Sequence, residues 1–147
     1  MPVVADTGPI LAAANRNDEM HDLAAALIGA AGRELLVPEP VVTEVDWLLR
    51  ERVGPTTARR FLEALVDGAY VRVTLSPSVF AAAVELDRRH ADLDIGFVDA
   101  AVMAVADSTR SSILTFDFRD FRATKPMRGG AWRFVVAEAD VDRWRRR

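Results

Sequence analysis

The chain has 147 residues, half of them hydrophobic and 28% charged, a size and composition that fit one globular domain burying about two-thirds of its accessible surface. The absence of cysteine excludes disulfides, thiolate metal sites and cysteine nucleophiles. A formal charge of -3, from 19 lysines and arginines against 22 aspartates and glutamates, excludes coating of nucleic acid by net charge alone.

In chain order, "PVVA" at 2–5 reads as a short buried strand with Asp6 at its carboxyl end. Gly8 allows a tight turn and Pro9 suits the first helical position before "ILAAAN". "HDLAAALIGAA" predicts a helix with Leu23, Ala26, Leu27 and Ala30 as its stripe. "ELLVPEP" predicts a second strand stopped by proline, and "VVTEVDWLLRERVG" a helix buried through Val41, Val45, Leu48 and Leu49, with Gly54 after its end. In that helix Trp47, Leu48 and Leu49 are read most simply as core. A further helix is expected over "TTARRFLEALVDGA", a third strand at "YVRVTLS", and a helix at "PSVFAAAVELDRRHA" opened by Ser76 and Pro77. "FVDAAVMAVADSTR" predicts a largely buried helix, "SSILTFD" a strand ending at Asp117, and "WRFVV" a late short strand before a charged tail.

Short apolar strands separated by helices predict an α/β fold: a three-layer α/β/α domain with a mainly parallel central sheet. The chain reads as one domain over 1–147, with a mobile basic tail expected at 143–147. The start has no basic segment before an apolar run, and no stretch is apolar for long enough to cross a bilayer, so a cytoplasmic protein away from membranes is expected.

Ligands in open parallel sheets bind beyond the strand carboxyl ends, where Asp6 and Asp117 are expected despite their separation in sequence. Glu44 sits on the inward stripe of its helix and Asp99 near the start of an apolar one. An unpaired buried carboxylate is costly, so each needs a partner or a cation. For Asp99 and Asp94 the competing explanation is helix capping. Together, Asp6, Glu44, Asp99 and Asp117 form an all-oxygen donor set suited to Mg²⁺ or Mn²⁺ and to phosphodiester hydrolysis. Zinc is disfavoured, because the two histidines, His21 and His90, have no metal-binding partner pattern. His90 ends an amphipathic helix, where interaction with the helix terminus outweighs general-base chemistry.

Four segments, "VVADTGPILAA", "VPEPVVTEVDWLL", "DIGFVDAAVMAVAD" and "ILTFDFRDF", taken in this order, resemble the motifs of the PIN-domain family and, more narrowly, of VapC-type ribonuclease toxins. The resemblance implies a catalytic and metal-binding set of Asp6, Glu44, Asp99 and Asp117 around Mg²⁺, with Mn²⁺ able to substitute, and with Asp6 and Asp99 the firmest ligands. It implies an endoribonuclease acting on RNA, a small antitoxin partner whose carboxyl-terminal segment wraps over the active-site side, and a homodimer. Thr115 matches the small polar residue near the last aspartate, whereas Thr7 is balanced between turn chemistry and a ligand role. The arginine-rich end, "DRWRRR", departs from the common pattern and is balanced between RNA contact and a solvated tail. Competing functions are a housekeeping PIN nuclease that processes RNA, and a noncatalytic receiver-like or PIN-like binding module. The receiver reading lacks the paired acids near the first strand, and the noncatalytic PIN-like reading sits poorly with four acids present.

Overall fold

The computed structural model describes residues 1–147. Its four strands are β1 (Val3–Ala5), β2 (Leu35–Pro38), β3 (Val71–Val73) and β4 (Ser112–Leu114). All pair in parallel, in the order β3-β2-β1-β4. Between β1 and β2 run α1 (Thr7–Ala14), α2 (His21–Ala31) and a 3-10 turn at Gly32–Glu34. Helices α3 (Glu39–Arg52) and α4 (Pro55–Val66) link β2 to β3, and α5 (Pro77–Arg89) and α6 (Gly96–Thr109) link β3 to β4. The one-turn helix α7 (Arg119–Arg122) and α8 (Glu138–Arg145) complete the chain.

This is the expected three-layer α/β/α architecture. The β1-to-β2-to-β3 connections step one way across the sheet and the β3-to-β4 connection returns past β1. Right-handed crossovers therefore put their helices on opposite faces, and the order reverses between β1 and β4. The core follows from that sandwich. Val4, Ala5, Leu35, Val37, Ile113 and Leu114 fill the sheet, and every residue of α6 from Ala100 to Ala106 is buried. No helix is long and apolar enough to cross a membrane.

Local chemistry sets the boundaries. Ser76 caps α5 by accepting the Val79 N–H at 3.2 Å, with Pro77 in the first turn. Gly54 joins α3 to α4 at φ 135, a backbone state that an L side chain resists. Pro40 lies within the first turn of α3, where its missing N–H costs nothing, so this helix begins two residues before the expected start at Val41.

Several expectations are corrected. The buried positions of α2 are Ala24 and Ile28, while Ala26 and Ala30 are exposed. A helix this rich in alanine has too little polar contrast for sequence spacing to orient it. Trp47 is 62% exposed rather than core, although Leu49 beside it is buried. "WRFVV" makes only an isolated parallel bridge, Ile113 to Phe134. The rings of Phe134 and Trp132 turn instead onto Phe118 and Phe121, and the Trp132 indole N–H donates to Thr124 at 3.0 Å.

The basic end is helical through Arg145 rather than a free tail. Val141 is fully buried, the Trp144 indole N–H donates to the Glu19 carbonyl at 3.1 Å, and Arg122 pairs with Glu138 at 2.6 Å. Arg146 and Arg147 follow the helix and are exposed.

Candidate active site

The switch point between β1 and β4 builds the site. Asp6 leaves β1 and caps α1, its Oδ1 accepting the Thr7 N–H at 2.8 Å, while its own N–H donates to the Leu114 carbonyl at 2.9 Å. Thr115, immediately after β4 and fully buried, donates its hydroxyl to Asp6 Oδ2 at 2.8 Å and accepts the Asp117 N–H at 3.1 Å. One hydroxyl thus ties the ends of two neighbouring strands together, so the 109-residue separation of Asp6 from Thr115 closes to a single hydrogen bond.

Glu44 arrives from α3, one position before buried Val45, and Asp99 from the first turn of α6, one before buried Ala100. Asp6, Glu44, Asp99 and Asp117 line a single cleft of about 420 Å³. Asp18 and Glu19, from the loop before α2, add two further carboxylates to its wall, and Arg52 and Arg145 are its two cationic residues. Leu11, Leu48, Met20 and Phe116 supply apolar wall.

The electrostatics follow from that crowding. Burial pushes the Asp6 carboxyl above the ordinary aspartate value; its hydrogen bonds from Thr115 and the Thr7 N–H oppose the rise, and the Glu44 and Asp117 charges add to it. Asp99 is pushed up to about 8, first by burial, then by the Asp6 charge and by a hydrogen bond with Asp120. Asp117 goes the other way. Arg119 grips it with Nε at 3.0 Å and Nη2 at 2.7 Å, and holds its carboxyl below the usual range.

Capping does not explain Asp99, because Ile95 occupies the cap position of α6 and no side chain bonds there. Asp94 is exposed, with a left-handed backbone, and does not line the cleft. His21 bonds the Ala12 carbonyl through Nδ1 at 2.9 Å and His90 ends α5. The Thr7 hydroxyl is buried without a hydrogen-bond partner.

Sequence reasoning missed Asp120, the neighbour of Asp99. It stands three residues after Asp117 in "DFRDF": Asp117 precedes α7 and pairs with Arg119, whereas Asp120 lies within α7 and contacts Asp99. Their spacing was the available signal. No three carboxylates or histidines are gathered in a geometry that holds a metal ion.

Comparison with known proteins places this geometry. Residues 3–125 match the PIN-domain model. The sequence is 32% identical over 135 residues to Ribonuclease VapC26 of Mycobacterium tuberculosis, covering 91% of this chain and 98% of that protein. The fold matches the crystal structure of VapC20, a sarcin-ricin loop cleaving toxin of Mycobacterium tuberculosis, with a TM-score of 0.74 at 24% identity over 82% of this chain and 93% of that one. It also matches VapBC2 of Rickettsia felis, bound to a promoter DNA fragment, with a TM-score of 0.64 at 14% identity over 84% and 92% of the respective chains. The chain belongs to the PIN-domain family, as a VapC-like component of the toxin–antitoxin class. Nuclease activity in general goes with that membership, as does association with a divalent metal.

Proposed function

We propose that the protein is the toxin of a type II toxin–antitoxin pair and acts as an endoribonuclease that hydrolyses RNA phosphodiester bonds with Mg²⁺, or Mn²⁺ in its place. The observation that carries this reading is the meeting of Asp6, Glu44, Asp99 and Asp117 in one cleft beyond β1 and β4, in a chain whose curated relative is a ribonuclease.

The donor set fits the cation by chemistry. Its members are hard carboxylate oxygens with water access, and the raised Asp6 and Asp99 carboxyls are those that a positive charge would relieve. Asp6 and Asp99 would hold the ion, with Glu44 and Asp117 completing the set as Asp117 leaves Arg119. Bound there, a divalent cation lowers the pKa of an attacking water and offsets charge developing on the phosphate. Thr115 keeps Asp6 oriented through its hydroxyl. Leu11, Leu48 and Phe116 narrow solvent access on the apolar side of the cleft.

The partner reading has the same basis. A Klebsiella pneumoniae relative in fold was solved as a toxin–antitoxin complex. Here the exposed Trp47 stands beside cleft-lining Leu48 and Glu44, an apolar landing next to acidic groups. The carboxyl-terminal segment of a small antitoxin, with apolar anchors and a basic residue, would cover both. A cytoplasmic homodimer completes the proposal.

Purified protein, freed of any copurifying antitoxin, should fragment intact cellular RNA with Mg²⁺ or Mn²⁺ and stop on EDTA addition. Cleavage that persists in EDTA contradicts the proposal, as does cleavage of DNA with RNA left whole.

A further inference from the structure

We propose that Arg52 and Arg145 form a two-point phosphate clamp that holds the RNA backbone in the acidic cleft. The clamp rests on the ribonuclease reading above and assigns a substrate subsite within the same cleft.

The cleft poses an electrostatic problem. Six carboxylates line it, and an RNA strand brings one negative charge per phosphate, so approach is opposed unless fixed cations offset the field. The wall has two arginines, on separate elements. Arg52 ends α3, eight positions after Glu44, and Arg145 ends α8, at Asp117. Both cations therefore share the wall with the acids and reach it from different parts of the fold.

The hydrogen-bonding state of the guanidinium groups points the same way. Most arginines near an acid here are committed: Arg50 to Asp46, Arg119 to Asp117, and Arg88 and Arg89 to Glu85. Arg52 makes no ion pair although it lines an acidic cleft. Arg145 donates one hydrogen bond, Nη2 to the Phe116 carbonyl at 3.0 Å, and stands 3.8 Å from Asp142, beyond hydrogen-bonding range. A guanidinium has five N–H donors, so both keep donors free for a phosphate.

Arg145 is also held in place. Buried Val141, the Trp144–Glu19 hydrogen bond and the Arg122–Glu138 pair fix α8 against the body. The bond to Phe116 then sets the guanidinium beside Asp117, whose charge it stabilises. Arg145 also lines a second cavity of about 300 Å³, which shares Phe116 and Asp117 with the acidic cleft and contains Arg119 and Arg122. There Arg119 and Arg122 are paired with Asp117 and Glu138, which leaves Arg145 as the arginine of that cavity with donors free. Helix α8 lies outside the residues that match the PIN-domain model.

The test measures RNA affinity against salt. In an Asp99→Asn background that preserves the RNA, R52Q, R145Q and the double variant are titrated with a labelled single-stranded RNA of about 20 nucleotides, longer than a usual single-strand footprint. Each lost phosphate contact should reduce the slope of log affinity against log salt by about 0.7, and the double variant by about 1.4. Affinity should fall about tenfold per arginine at low salt. R143Q serves as control: Arg143 is on the same helix, pairs with Asp140 and does not line the cleft, and its slope should equal that of the parent. R145K keeps the charge and should keep the slope, which separates phosphate binding from loss of folding, checked by circular dichroism. With Asp99 restored, R52Q and R145Q should raise KM while leaving kcat within about twofold. Slopes for R52Q and R145Q that match R143Q overturn the clamp, and RNA cleavage by the unmodified protein in the same experiment keeps the nuclease reading standing. Failure of the unmodified protein to cut RNA overturns that reading instead, and the clamp with it.

Discussion

Replacing Asp99 by asparagine tests the electrostatics of the cleft apart from its chemistry. Raising a carboxyl from 3.8 to about 8 corresponds to a penalty of about 6 kcal/mol for ionising it within the fold. Asp99 keeps some solvent contact and shares the effect with Asp6 and Asp120, so solvent screening reduces the recoverable part to about 1–3 kcal/mol. The sign is set by linkage. A folded-state pKa above the unfolded value means that the protonated form supports the fold: the contribution is complete below the unfolded value near 3.8 and is lost as pH rises through about 8. The amide that replaces the carboxyl does not titrate. In EDTA the variant should therefore match the parent near pH 4 and exceed it by about 3–10 °C in Tm at pH 8 and above. Adding Mg²⁺ should narrow the gap by stabilising the parent, since the ion binds the native cleft and not the unfolded chain. Thermal unfolding followed by circular dichroism across that pH range is the assay. A variant less stable than the parent at every pH would refute the reasoning and give Asp99 a packing role.

Other perturbations probe the supports of the site. Thr115→Val should cost about 1–3 kcal/mol in urea unfolding, because it leaves the Asp117 N–H without its acceptor and Asp6 Oδ2 without its donor; an unchanged midpoint would mean that water replaces the hydroxyl. Val141→Ala empties a fully buried position under α8 and should cost about 1–3 kcal/mol, with earlier hydrogen exchange in 138–145 as the local signature. Glu138→Gln removes an exposed partner of Arg122 and should change stability by less than about 1 kcal/mol. Gly54→Ala, at φ 135, should destabilise the α3–α4 junction by about 1 kcal/mol or more in the same unfolding assay.

Much of this architecture was legible because strand ends carry their own chemistry. Asp6 and Asp117 each follow an apolar, β-rich run, and the alternation of strands with helices already requires crossovers that gather those ends at one edge. The stripe of α3 was legible for Val41, Val45 and Leu49, where charged neighbours give contrast. It failed at Trp47, whose size reads as core although its helical angle turns it outward. In α2 the failure was one of contrast, since alanine is tolerated on either side. The bridge at Phe134 and the docking of α8 depend on contacts distant in sequence, including Trp144 to Glu19 across 125 positions, and no local pattern encodes them. The contact of Asp99 with Asp120 also spans distant positions, whereas the capture of Asp117 by Arg119 is local, two residues apart.

The central claim, that the acids beyond β1 and β4 carry metal-dependent hydrolysis of RNA, is tested most directly by the chemistry of the cut ends. Cellular RNA incubated with the purified protein and Mn²⁺ should give fragments with a 5′-phosphate and a 3′-hydroxyl, and Asp6→Asn and Asp99→Asn should abolish them while remaining folded. Fragments ending in a 2′,3′-cyclic phosphate, or undiminished cleavage by both variants, would contradict the account.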